Sequence, residues 1–140
     1  MALSISDSLL DRIRYHGTSA YPLECCGLLL GRAAHDGKSV VDLMPMQNSR
    51  EDTPESRYLI APDDLLVAEK EARKQGVDII GVYHSHPDHP ARPSNFDREH
   101  AFPWYSYIIV SVEKGEAIEL TSWILRDDRS AFDPEDLQTA

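Results

Sequence analysis

The sequence predicts a mixed α+β fold in which a strand-rich sheet is covered on both faces by helices. Three observations predict it. Two apolar runs, at 26–32 and 78–83, are the length of buried strands, and two stretches carry helical spacing with capping residues at their starts. Near the C-terminal end, two further apolar stretches are joined by Lys114-Gly115, a hairpin turn. Residues 6 to about 19 form the first helix, with Ser6 as N-cap, Leu9, Leu10 and Ile13 on one side, and Gly17 weakening its end. Strands follow at about 26–32 and 40–46. A polar, proline-containing loop over 47–56 leads to a short strand, Tyr58-Leu59-Ile60. Helix 62–75 has Pro62 in its first turn, Asp63 and Asp64 beside it, and Gly76 past its end. A strand over 78–86, a short helix over 94–101 and strands at 105–112 and 117–125 complete the set. Alternation of strands with helices of this number implies a mixed sheet.

Composition sets outer limits. A chain of 140 residues matches one domain, 1–140, large enough to build a core without disulfides, and the acidic stretch 127–140 is expected as a loose tail. No apolar run reaches membrane-spanning length, and the N-terminal residues lack the charged start and long apolar region of a signal peptide. No membrane association is expected. Cys25 and Cys26, the only cysteines, are adjacent and poorly placed to bridge each other, which fits a reducing, cytoplasmic location. Fourteen basic against 24 acidic residues give a formal charge of −10, which argues against a nucleic-acid partner. Solubility or a high-salt setting explains that charge without invoking a basic partner.

The chemistry is concentrated between residues 84 and 97. His84-Ser85-His86-Pro87, then Ser94, then Asp97 give the order His-x-His-x7-Ser-x-x-Asp. His84 and His86, two apart on a strand, project from the same face. Prolines 87, 90 and 93 end that strand, and the helix opened by Ser94 can carry the Asp97 carboxylate back toward the two rings. Two nitrogens and one oxygen leave a tetrahedral zinc one open position, the pattern of a catalytic site. Ser94 and Asp97 also fit a helix start by themselves, as N-cap and first-turn acid, and the two roles are compatible. A hydrolase of this kind needs a base from another element, and Glu24, placed just before an apolar strand, is the candidate. Its alternative is a solvated turn residue after Pro22. Cys25 with His84 as base is a weaker possibility, since small residues entering a buried strand pack without reacting. His89 and His100 are placed where they could orient ligands, and His16 and His35 read as surface residues.

Glu24, His84, His86, Ser94 and Asp97 together resemble the signature of the JAMM (MPN+) zinc metallopeptidases. The segments Pro-x-Glu-Cys-Cys-Gly-Leu-Leu-Leu-Gly and Tyr-His-Ser-His-Pro-Asp-His-Pro-Ala-Arg-Pro-Ser resemble the short prokaryotic, JAB-domain branch, and the similarity extends through Asn48, 57–66 and 104–111. The resemblance implies a cytidine-deaminase-like α-β-α sandwich, zinc on His84, His86 and Asp97, Glu24 as the group that activates water, and Ser94 as the oxyanion donor. It further implies hydrolysis of the amide after the C-terminal Gly-Gly of a ubiquitin-like or sulfur-carrier protein. No signature residue is missing, unlike in scaffold-only members of the fold. The other classes open to this fold are a zinc peptidase of another amide, such as a cell-wall peptide, and a non-catalytic binding module.

Overall fold

The computed structural model describes residues 2–49 and 58–139. In chain order the elements are β1 (Ala2–Ser4), α1 (Asp7–Ala20), β2 (Cys26–Ala34), β3 (Gly37–Met46), α2 (Pro62–Lys74), β4 (Asp78–Pro87), α3 (Asn95–His100), β5 (Ser106–Glu113), β6 (Glu116–Leu125) and β7 (Phe132–Gln138). The fold is mixed α+β with a mixed sheet. Its strands run in the order β1-β3-β2-β4-β5-β6-β7, and parallel pairing of β7 with β1 closes the sheet into a barrel. The β1–β3 and β4–β5 pairs are also parallel, and the remaining pairs are antiparallel.

Alternation along the strands builds two cores. Leu29 of β2 joins Leu3, Ile108 and Val110 around Leu10 and Ile13 of α1, on the inside of the curl. Leu28 and Leu30, one residue to either side, face outward to Ala68 and Ala72 of α2. Small residues on α2 let its backbone approach the sheet, and Gly17 does the same for α1. A Cβ on Gly17 would lie 3.1 Å from both Val110 and Val112, so this glycine seats the helix as well as loosening its end. The N-cap of α1 is Ser6, whose side chain accepts from the Leu9 N–H.

An irregularity in β4 sets the orientation of everything downstream. Leu29 pairs with Gly81 and Leu30 with Ile79, so Ile80 is an extra residue opposite β2. Ile80 and Tyr83 consequently both belong to the inner core, while Ile79 and Val82 lie on the outer side. Beyond the bulge the alternation is regular, and His84 and His86 continue the outward phase set by Val82.

Three expectations are corrected. Residues 127–140 are not a loose tail, because Phe132–Gln138 is strand β7, bonded to β6 on one side and β1 on the other. Its acidic residues have partners that composition does not reveal: Ser122 donates to the buried Glu135 at 2.8 Å, and Arg126 forks onto Asp133. Tyr58-Leu59-Ile60 is not a strand; among the described residues its backbone pairing is limited to Leu59, which accepts from the Ser49 N–H and donates to the Asn48 side chain. Of the loop expected at 47–56, residues 50–56 lie outside the described residues. His16 is half-buried rather than a plain surface residue, with Nδ1 2.7 Å from the Tyr83 hydroxyl and burial pushing its pKa down. Among the described residues, no helix is long and apolar enough to cross a membrane.

Candidate metal centre and active site

The antiparallel register between β2 and β4 brings the two halves of the site together. Cys26 pairs with His84, Ser85 N–H donates to the Cys25 carbonyl, and Ser85 Oγ accepts from the Cys25 N–H at 2.8 Å. Carried back two residues, the same register sets Glu24 level with His86 and on the same, outer face. Asn48 locks the approach, donating from Nδ2 to the Glu24 carbonyl at 3.1 Å while its Oδ1 accepts from Leu59.

On that face, Asp97 of α3 meets the two imidazoles. His84 Nε2 is 3.2 Å from His86 Nε2, and Asp97 Oδ2 is 3.4 Å from the first and 3.1 Å from the second. A tetrahedral ion with ligands at about 2.0–2.1 Å requires ligand atoms about 3.3–3.4 Å apart, so the three atoms stand at the spacing of three tetrahedral corners. The His86 tautomer agrees. His86 Nδ1 is 2.8 Å from the Pro90 carbonyl and must donate to it, which leaves Nε2 a bare lone pair facing the cluster. Two ring nitrogens and a carboxylate oxygen that converge this closely in a buried place repel one another unless a proton or a cation lies between them, and the donor set fits zinc.

Burial and charge set the state of each group. His84 is 1% and His86 6% exposed. Burial pushes the His84 pKa down; it also opposes charge on His86, but there the hydrogen bond to Asp97, its negative charge and the Pro90 carbonyl together outweigh it and raise the value. Burial would raise Asp97, yet the two imidazoles hold its carboxyl far below the usual carboxylate range. Glu24, 4% exposed, is pushed up to about 8 by burial, with Asp97 adding to the rise and His86 opposing it. Its Oε1 has no hydrogen-bond partner among the described residues. A buried, unpartnered carboxyl titrating near neutrality is costly to stability and suited to moving a proton.

Ser94 and Asp97 form a complete capping box. Ser94 Oγ accepts from the Asp97 N–H at 3.0 Å, and the Ser94 N–H donates to Asp97 Oδ2 at 2.9 Å. Both roles anticipated for these residues therefore share one set of atoms. Because the Ser94 hydroxyl acts here as an acceptor, its hydrogen remains available to a further partner. The ring of Tyr58, which sequence reasoning treated only as part of a strand, stacks on His84 with centroids 4.6 Å apart. An aromatic before a loop carries no spacing signal that would have flagged it. His100 is turned away, its Nδ1 against the Phe96 carbonyl, and exposed His89 contributes its carbonyl to Ser111. Burial pushes the Cys25 and Cys26 thiols up to about 11 and about 12, so neither is a thiolate near neutral pH.

Comparison with known proteins agrees with this geometry. The chain is 33% identical over 112 residues to a desampylase of Haloferax volcanii, covering 79% of this chain and 78% of that protein. It is 32% identical over 113 residues to a probable TtuB-protein conjugate cleaving protease of Thermus thermophilus, covering 81% and 72%. The solution structure of a protein from Desulfitobacterium hafniense superposes with a TM-score of 0.85 at 32% identity, covering 99% of this chain and 92% of that one. The family described as prokaryotic homologs of the JAB domain matches residues 6–126, and the chain belongs to it.

Proposed function

We propose that this protein is a zinc-dependent peptidase or isopeptidase that hydrolyses the amide following the C-terminal Gly-Gly of a ubiquitin-like or sulfur-carrier protein. The observation that carries the reading is the convergence of His84, His86 and Asp97 at tetrahedral spacing, with Glu24 level with His86 just before the neighbouring strand β2. Zinc held by those three residues would supply Lewis-acid activation of the attacking water and of the scissile carbonyl. The protein's own groups would do the rest. Glu24, buried and level with His86, takes the proton from the water and returns it to the leaving amine. Ser94, its Oγ already fixed by the Asp97 N–H, donates its hydroxyl hydrogen to the oxygen that becomes negative. Tyr58 walls one side of the His84 ring and excludes water there. The names of the two relatives, a desampylase and a conjugate-cleaving protease, support a ubiquitin-like acyl partner.

A Gly-Gly tail offers no side chains to grip, so its affinity must come from main-chain hydrogen bonds, and a narrow approach selects glycine. The test is cleavage of one ubiquitin-like fusion ending in Gly-Gly, Ala-Ala or Val-Gly before the scissile amide. Cleavage confined to Gly-Gly is expected. Equal rates across the series would overturn tail recognition and favour a peptidase of another amide class.

A further inference from the structure

We propose that Arg129 is a positioning residue for Asp97, closing the C-terminal end of α3 so that the carboxylate stays at the candidate metal centre. The inference rests on the reading of His84, His86 and Asp97 as a metal-binding set. Arg129 lies beyond residues 6–126, the part that matches the family.

The need for such a residue follows from α3 itself. The helix has six residues, none of them buried, and a helix this short has little stability of its own. Its N-terminal end is held by the capping box, yet that box leans on Asp97 Oδ2, the atom that also faces His84 and His86. Support from the other end is therefore required if the ligand atom is to keep its place. The last carbonyls of a helix have no partners within it. Here one guanidinium reaches three of them: Arg129 Nη1 donates to Ala101 O at 2.8 Å, and Nη2 to Glu99 O at 3.1 Å and Arg98 O at 3.3 Å. The positive charge also sits at the negative end of the helix dipole. The planar fork holds its donors in fixed directions and loses less freedom in serving three carbonyls than a lysine ammonium on a flexible stem.

Arg129 is itself firmly placed. It occupies the turn between β6 and β7 with φ at 64°, a left-handed conformation that is unfavourable for a residue with a Cβ. The turn compensates: Arg129 N–H donates to Arg126 O at 2.8 Å, Ser130 bonds Asp128 through both its N–H and its hydroxyl, and Arg126 forks onto Asp133. The barrel's β6–β7 corner thus reaches over to hold a helix that belongs to the site. Arg129 touches neither ligand ring nor Glu24 and acts only through α3.

The test compares Arg129→Ala and Arg129→Lys with Val40→Ala, a truncation of the inner core that destabilises the barrel without touching α3. Two quantities are read: hydrogen exchange of the backbone amides of 97–101 in the metal-free chain, and the rate at which zinc-loaded protein gives up zinc to a chelator. Arg129→Ala should speed both by about tenfold or more, the usual scale for losing support behind a ligand. Arg129→Lys should fall between, free guanidinium should slow zinc release from Arg129→Ala, and Val40→Ala should leave zinc release unchanged. Parent-like exchange and release in Arg129→Ala, or equal acceleration by Val40→Ala, would overturn the proposal. His84→Ala combined with His86→Ala separates the two levels. If that pair still takes up zinc, the metal reading itself fails; if it does not, while Arg129→Ala behaves as parent, only the role of Arg129 falls.

Discussion

A single atom, Asp97 Oδ2, faces both imidazoles and accepts the Ser94 N–H, so fixing the ligand and starting the helix are one arrangement. Glu24 is the opposite kind of residue: buried, without a partner on Oε1, and raised to about 8. A carboxyl whose folded pKa lies above its unfolded value of 4.5 favours the folded state when protonated. That contribution is full below 4.5 and is lost as pH rises through about 8. Glu24→Gln keeps the shape and removes the charge. It should retain zinc, lose hydrolytic rate by about a hundredfold or more, and raise the unfolding temperature of the metal-free chain at pH 8, a gap that closes toward pH 4.5. Rate assays and thermal melts on the same preparations check this. Loss of zinc along with activity would make Glu24 a ligand instead.

Elements differ in how plainly the sequence announces them. The long apolar run of β4 and the capped helices were legible because periodicity, Pro62 and Ser94 all pointed one way. The grouping of His84, His86 and Asp97 was legible for a different reason: metal chemistry demands particular side chains at particular intervals. β7 was not legible, because its only large apolar residues are Phe132 and Leu137 and it owes its shape to pairing with strands distant in sequence. Leu137→Asp decides whether that pairing matters. The side chain packs against the inner core, so an aspartate there should cost about 2–3 kcal/mol in urea unfolding, whereas a loose tail would give no change. Tyr58 was missed because a ring stacked on a ligand leaves no pattern in the chain. The bulge at Ile80 was equally silent, since a two-residue count from His84 to His86 fixes that they share a face but not which face.

At the scale of the whole molecule, the proposed metal-binding set draws on strand β4 of the barrel and on helix α3, and zinc should bind the folded chain far better than the unfolded one. Saturating zinc is expected to raise the unfolding temperature and a chelator to lower it. The increment should shrink as pH falls through the range in which His86, held above the ordinary imidazole value, takes a proton, because its lone pair is then lost to the metal. Melts with and without zinc between pH 5 and 8 read this directly, and a zinc increment independent of pH would contradict the imidazole ligands. The net charge of −10 adds repulsion within the folded chain, which salt should relieve.

The closure of the barrel by β1 and β7 also orders events in time. During synthesis β1 can dock on β3 early, but its other edge waits for Asp136, Leu137 and Gln138, and the sheet stays open until those residues have left the ribosome. Asp97 emerges well before Arg129, so the site's ligands exist for a period without the turn that steadies them. Arrested chains from which Arg129 has not emerged should accordingly release zinc faster than chains extended through Gln138.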